Sequence, residues 1–470
     1  MRPLLLSLAL LPLACTEADP RPPPTDRFIY PSGIFHRAVA GSTNGVLYVA
    51  SANFDRCFDQ GTVMAVDLDA VGAEGNRLPP IASASAPAQS VLTIPQLNVA
   101  EQSRVSIQSY SGELAFWNRP DAAPRLFVTA RSDGDFLHYI DVPEPTRLAC
   151  VGSSSANCAE GALSLSQVPG QQKDLPRAPA PFGVAVDPQG AVWVTHLTAA
   201  DSPARSRGSK DASYESYVVR LAGDTPAIST SDFLPLSIPD LPRGGSNSVI
   251  ADERYVFVSG RYDALLPGVS AARRFLLRVL DKQNPGRLVD PGLDLSFAAN
   301  DARGLAITDL VPGQSRRLYL AVRSPDALLI VNAEGTEATS ASPQLTVVGS
   351  VPLPNGPTEV RLIKRPSGRD LVLVSCSDAG VVALYDPDVG QVVSQISVGT
   401  VQGARGPRPF GLAVQAEANA ARVFVSNFGD GRISIIDIPD LTSPQQARLV
   451  AYLGARQDEG QSATCQEVQQ

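Results

Sequence analysis

Pro409-Phe410-Gly411-Leu412-Ala413-Val414, then Arg422-Val423-Phe424-Val425-Ser426-Asn427-Phe428-Gly429-Asp430-Gly431, then Ile433-Ser434-Ile435-Ile436-Asp437, is the stretch whose reading decides the fold. Three apolar runs too short for helices are separated by turn residues, which is the pattern of meandering strands. The middle run, aromatic or aliphatic residues ending near a small polar one, recurs along the chain. It appears as Leu47–Ser51, Leu126–Thr129, Val192–Thr195, Val256–Ser259, Leu318–Ala321, Leu371–Ser375 and Val423–Ser426. That is seven occurrences.

Most copies follow a strand that opens on a small or turn-forming pair, as in Pro181-Phe182-Gly183 and Arg303-Gly304-Leu305. A third strand comes after, such as Thr62–Asp67 or Val381–Asp386, and a weaker fourth closes the unit, such as Gln391–Val398. Four meandering strands per repeat predict an all-β chain folded as a seven-bladed β-propeller, with four-stranded antiparallel blades around a central channel. One such sheet cannot bury both of its apolar faces alone, whereas radial packing of seven buries them all. Glycine early in the innermost strand fits, because blades crowd near the axis. Turns such as Gly429-Asp430-Gly431 supply the positive φ angles of tight hairpins. Repeat spacing is uneven, and Ala70 to Arg125 leaves room for an eighth blade, although one strand set stands out there, around Ser106 to Phe116. Ala199 to Tyr214 reads as an inserted surface loop.

The Pro409-to-Asp437 repeat resembles the YVTN-type β-propeller repeat, related to lactonase-like seven-bladed propellers, with Val423-Phe424-Val425-Ser426-Asn427 standing for the family's central motif. The resemblance covers most of the chain after its first residues. It specifies a blade and no chemistry.

The 470 residues are 44% hydrophobic and 18% charged, with 40 prolines and 37 glycines, which excludes disorder for the bulk and suits many short strands. A net charge of -8 gives no electrostatic footprint for nucleic acid. Arg2 precedes an apolar run from Leu4 to Leu13, too short to span a bilayer and suited to a secretory signal over residues 1–14. Leu13-Ala14-Cys15 resembles the lipobox of bacterial lipoproteins, apart from Pro12, and by that resemblance Cys15 is the lipidated first residue. Thr16, in place of a retention aspartate, points to the outer membrane as the anchoring partner. Residues 15–27, with their prolines, read as a tether, residues 28–455 as the propeller, and 456–470 as a tail. The ring reads as a monomer.

Export permits disulfides. In a meander the loops joining second to third strands share a face with the links between blades, so Cys57, in such a loop, and Cys465, after the last strand, are placed to clasp the ends of the ring. Cys150 and Cys158 read as a local disulfide and Cys376 as a spare buried thiol. No spacing of cysteine and histidine suggests a metal, and no motif calls for a cofactor.

On that same face Arg131, Arg261 and Arg323 follow second strands, while Arg303 and Asn247 open inner strands near the channel mouth. Together they make a candidate rim for a carboxylate, phosphate or sulfate; the alternative is local pairing with Asp133, Asp263 and Asp326. Propeller lactonases use channel-facing histidine, carboxylate and arginine, so the resemblance points to His36, His196 and Glu359 as the closest approach to a catalytic set. His138 stands in a third strand. The leading reading is a non-catalytic binding scaffold at the cell envelope, holding a protein, peptide or glycan. The alternative is a lactonase-like hydrolase in the channel, marked by convergence of carboxylate and histidine.

Overall fold

The computed structural model describes residues 21–72, 77–81, 90–94, 102–132, 134–166, 180–197, 200–201, 214–215, 217–236, 245–260, 277–284, 288–289, 301–311, 315–336, 343–399 and 406–457. Seven antiparallel sheets form the ring, each starting at the channel and meandering outward. The inner strands are Pro31–Arg37, Ser111–Trp117, Pro181–Val186, Ser246–Ala251, Asp301–Ile307, Pro357–Ile363 and Pro409–Ala416, one for each of blades 1 to 7. We call the face where these strands begin the upper face and the other the lower. The repeat count read from the sequence is therefore the blade count.

The described residues after Ala70 form no eighth blade. Ser90–Leu92 crosses to blade 7 and pairs in parallel with its outer strand, Arg448–Leu453. Arg104–Ile107 is the outer strand of blade 1, and Ser111–Trp117 opens blade 2, so the expected strand set around Ser106 divides between two blades. Every blade is built from its own stretch of chain, and the excursion from blade 1 is what crosses the closing seam. The inserted stretch of blade 3 carries a short hairpin, Ala200–Asp201 against Tyr214–Glu215.

Apolar faces alternate along each second and third strand, so every one of the seven seams holds its own core cluster. Tyr48, Val63, Leu126 and Ile140 fill the seam of blades 1 and 2; Phe28, Leu47, Met64, Phe424 and Ile435, joined by Leu78 and Leu92 of the excursion, fill that of blades 7 and 1. The small polar residue noted at the end of the second strands staples neighbouring blades. Ser426 Oγ accepts from the Gly411 N–H (2.7 Å) and donates to the Ser32 carbonyl of blade 1 (2.8 Å). Ser375 does the same between the Glu359 N–H and the Phe410 carbonyl, and Thr195 between Gly183 and Asn247. Early glycines permit this approach: a Cβ on Gly183 would sit 2.3 Å from the Asn247 carbonyl oxygen, and one on Gly411 2.4 Å from that of Ser32.

Toward the lower face, aspartates of the third strands meet arginines from the adjoining turns or second strands. Asp141 pairs with Arg125 (2.7 Å) and Arg119 (2.8 Å), Asp281 with Arg254 (3.3 Å), Asp386 with Arg365 (3.0 Å), and Asp437 with Arg422 (2.7 Å). Arg422 is fully buried and also reaches the Asn44 side chain and the Pro79 carbonyl, so one guanidinium ties blade 7 to blade 1 and to the excursion.

Cys150 and Cys158 form the expected disulfide and Cys376 is a buried free thiol. Cys57 is disulfide-bonded; its expected partner Cys465 lies outside the described residues, as do Cys15 and the signal segment. The described end of the Pro-rich stretch is docked on blade 1, where Arg104 donates to the Pro23 and Pro24 carbonyls and the Arg21 N–H to the Asp59 carboxylate (2.9 Å).

Candidate functional site

By strand register, Gly33, Gly183, Gly304 and Gly411 hold the same place in the inner strands of blades 1, 3, 5 and 7. Blades 2, 4 and 6 carry Glu113, Ser248 and Glu359 there instead. These three departures from the repeat come together in the channel.

Glu113 accepts a hydrogen bond from Ser248 Oγ (2.7 Å), bridging two blades that are not neighbours. Glu359 is buried, accepts from the Leu412 N–H of blade 7 (3.0 Å), and pairs with Arg361 two residues along its own strand (2.5 Å). The Arg361 side chain is 42% exposed and lines the channel. Two carboxylates thus share one cation. Burial first, and then the charge of Glu359, push Glu113 up to about 7; burial also raises Glu359, against the opposing pull of Arg361 and the Leu412 N–H.

The channel below holds a cavity of about 350 Å³ lined by all seven inner strands, among them Ile34, Phe35, Phe116, Val184, Ile250 and Val414. Above lies a recess of about 20 Å³ that shares Glu113 and Ser248 with the cavity and adds Glu359, Arg303, Phe182 and Phe410. Phe182 and Phe410 belong to blades 3 and 7, on opposite sides of the ring, yet their centroids are 5.7 Å apart, edge to face. Contact at that distance crosses the axis, so the two rings roof the channel. The roof continues through Phe428 to Tyr30 and Phe54, fixing it to blades 7 and 1. The cavity is blind at the top, with its lining reaching the lower ends of the inner strands.

The expected anion rim is placed differently. Arg303 is held by Asp301 (2.5 Å) and by the Asn247 side chain (3.2 Å), so those two residues meet at the recess with a carboxylate already between them. Arg323 is folded onto blade 6, donating to the Gly356 and Pro357 carbonyls, Thr358 and Ser377, with Asp378 3.9 Å away. Arg131 lies over the Phe182 ring, 5.7 Å from its centroid. Arg261 lies outside the described residues.

Of the histidines, His36 lines the cavity but turns its Nε2 to the Asn44 carbonyl (2.7 Å) and stacks on Phe424; burial lowers its pKa. His196 is buried at the upper end of a second strand, one strand removed from the channel wall. His138 accepts from the Gln108 N–H and donates to the Cys158 carbonyl, and burial takes it down to about 4. Glu359 is thus brought together with Arg361, Ser248 and Glu113, and with neither His36 nor His196 in any hydrogen bond described. Glu113, Ser248 and Arg361 were not anticipated from the sequence. Their signal is the loss of the repeat's glycine, visible once Ser111-Gly112-Glu113 and Pro357-Thr358-Glu359 are set beside Pro409-Phe410-Gly411.

No protein-family model matches the chain, and no curated protein matches it. Among solved structures, the chain is similar to the periplasmic gluconolactonase PpgL of Pseudomonas aeruginosa, at 16% identity over 78% of this chain and 84% of that one, with a TM-score of 0.45. It is similar to hydrazine synthase of Kuenenia stuttgartiensis, at 11% identity over 90% and 98%, with a TM-score of 0.47. Similarity to AztD of Citrobacter koseri stands at 10% identity over 92% and 97%, with a TM-score of 0.40.

Proposed function

We propose that this chain is an exported binding protein, held at the bacterial outer membrane by a lipidated Cys15, whose propeller seats a small ligand, or the end of a larger one, in its channel. The observation that carries the binding reading is the acid pair Glu113 and Glu359, set under an aromatic roof at the blind end of a cavity. On the lower side the buried acids Asp281 and Asp437 each pair with an arginine of their own, whereas the two channel acids have Arg361 between them. Groups that weaken the fold without serving it elsewhere are candidates for recognition. A non-catalytic role is favoured because His36 turns its Nε2 to the Asn44 carbonyl and His196 stands on a second strand, one strand removed from the channel wall.

Thermal-shift measurements with amines, polyols, lactones and carboxylates test this reading. At least one class should stabilise the protein, and that stabilisation should vanish in Glu113→Gln and Glu359→Gln. Binding that survives both substitutions overturns the channel reading, and turnover of a lactone that requires Glu113 or Glu359 overturns the non-catalytic one. The anchor is tested separately: labelled palmitate should enter the wild-type protein and not Cys15→Ser, and its absence from both removes the lipoprotein proposal.

A further inference from the structure

Building on that channel reading, we infer that the ligand carries a primary ammonium group, docked head-first between Glu113, Glu359 and the Phe182–Phe410 roof, with an apolar body in the cavity below. The first support is size. A space of roughly 10–15 Å³ holds one water molecule, and the recess between the two glutamates and the roof is about 20 Å³. It takes one small head group and nothing larger, while the adjoining 350 Å³ takes a chain.

The second support is the donor and acceptor balance. Glu113 accepts from Ser248 Oγ and the Val184 N–H, and Glu359 from the Leu412 N–H and Arg361, while Arg303 on the recess wall is taken by Asp301, so the two carboxylates have one cation between them. An ammonium brings three N–H donors and one positive charge, which is what the cluster lacks. The third is the roof itself. Phe182 and Phe410 line the recess above the carboxylates, Phe182 already with Arg131 over its ring, and aromatic rings in that place favour a cationic head over a neutral or anionic one. A divalent metal fits less well, since it seeks several converging side-chain ligands and no group of three His, Cys, Asp or Glu side chains converges among the described residues.

The walls select the body. Phe35, Phe116, Val184, Val186, Ile250, Leu362 and Val414 face a ligand approaching from the lower end, because the roof closes the upper one. Two sources share this chemistry: a free alkylamine, and a lysine side chain presented by a peptide.

Binding has a proton signature. Glu113 faces Ser248 of blade 4, Glu359 and Arg361 of blade 6, Arg303 of blade 5, itself paired with Asp301, and His36 along the cavity wall. Only the ionised Glu113 pairs with an ammonium, so the ligand displaces its proton. Affinity should fall about tenfold per pH unit below about 7 and level off above it.

Calorimetric titration of the full-length protein with n-butylamine, n-hexylamine and n-octylamine, each beside the alcohol and the carboxylic acid of equal length, is the test. The amine should bind at least about tenfold more tightly than its alcohol at pH 8, release close to one proton at pH 6 as read in two buffers of different ionisation enthalpy, and lose about tenfold or more in Glu113→Gln. That variant keeps the shape of the side chain, and an unchanged circular dichroism spectrum separates loss of binding from loss of fold. Equal affinity for amine and alcohol, or preference for the acid, overturns the ammonium assignment; if either binding is still lost in Glu113→Gln, the channel reading stands. Binding of no compound in a way that either glutamate controls removes both. A peptide with one lysine, against its acetyl-lysine counterpart, tells the two sources apart: preference for the unmodified peptide over hexylamine assigns a peptide ligand, and the reverse a free amine.

Discussion

Two tiers of buried acids stand in this ring and are treated differently. Toward the lower face Asp281 and Asp437 each have an arginine of their own, Asp386 shares Arg365 with the more exposed Asp388, and Asp141 has two. In the channel, Glu113 and Glu359 share Arg361. The lower pairs repeat from blade to blade and join turns to strands, so they belong to the fold. The channel pair occurs once and leaves a charge unanswered. A motif that repeats with the blades is explained by the blade, and one that breaks the repeat asks for another cause.

The largest effect expected on this contrast comes from the lower tier. Arg422→Met strands Asp437 in a fully enclosed place and should cost about 3–5 kcal/mol, read as urea unfolding at pH 7. A loss below about 1 kcal/mol would mean that the lower pairs are as dispensable as surface ones.

Next comes Glu113, with the opposite sign. Its folded value, about 7, lies above its ordinary 4.5, so the folded chain holds that proton more tightly. Its contribution to stability is complete below about pH 4.5 and is lost as pH rises through about 7. Glu113→Gln should therefore gain on the wild type between pH 4.5 and pH 8, by on the order of 2–3 kcal/mol. A constant difference across that range would place Glu113 among the satisfied acids.

A smaller change is expected from Glu359→Gln, which removes the like charge and should bring the Glu113 midpoint down by about one unit, equivalent to about 1.4 kcal/mol. An unmoved midpoint would leave burial as the whole cause. Smallest, Ser426→Ala removes an uncharged staple across the closing seam and should cost about 1 kcal/mol in thermal or urea unfolding, setting the scale for neutral contacts.

The ring was legible because its signals are local and repeated: the run ending in Thr195, Ser375 or Ser426, the glycine at 183 or 411, the aspartate at 386 or 437. Excess chain after Ala70 was visible too, but not its destination, since pairing of Ser90–Leu92 with Arg448–Leu453 joins residues some 360 apart through a three-residue strand with no pattern of its own. Site residues were read from charge and proximity to the mouth, which picked Arg303 and Arg323; both are occupied by Asp301 and by the turn at 356–358, partners that only the folded chain brings near. Glu359 was picked for its carboxylate. Glu113 was missed because a glutamate on a weakly matching inner strand looks like an exposed one until the ring closes around it.

The ionisation of Glu113 separates an answered from an unanswered channel charge most directly. Infrared difference spectra across pH 4 to 9, with Glu113→Gln as the blank, isolate its carboxylic acid band. The band should persist at pH 6 and disappear with a midpoint near 7. Its loss below about pH 5 would show an acid as well compensated as Asp281, whose burial is outweighed by the hydrogen bonds and the Arg254 charge that hold it below its ordinary value, and would contradict the unanswered charge on which the channel reading depends.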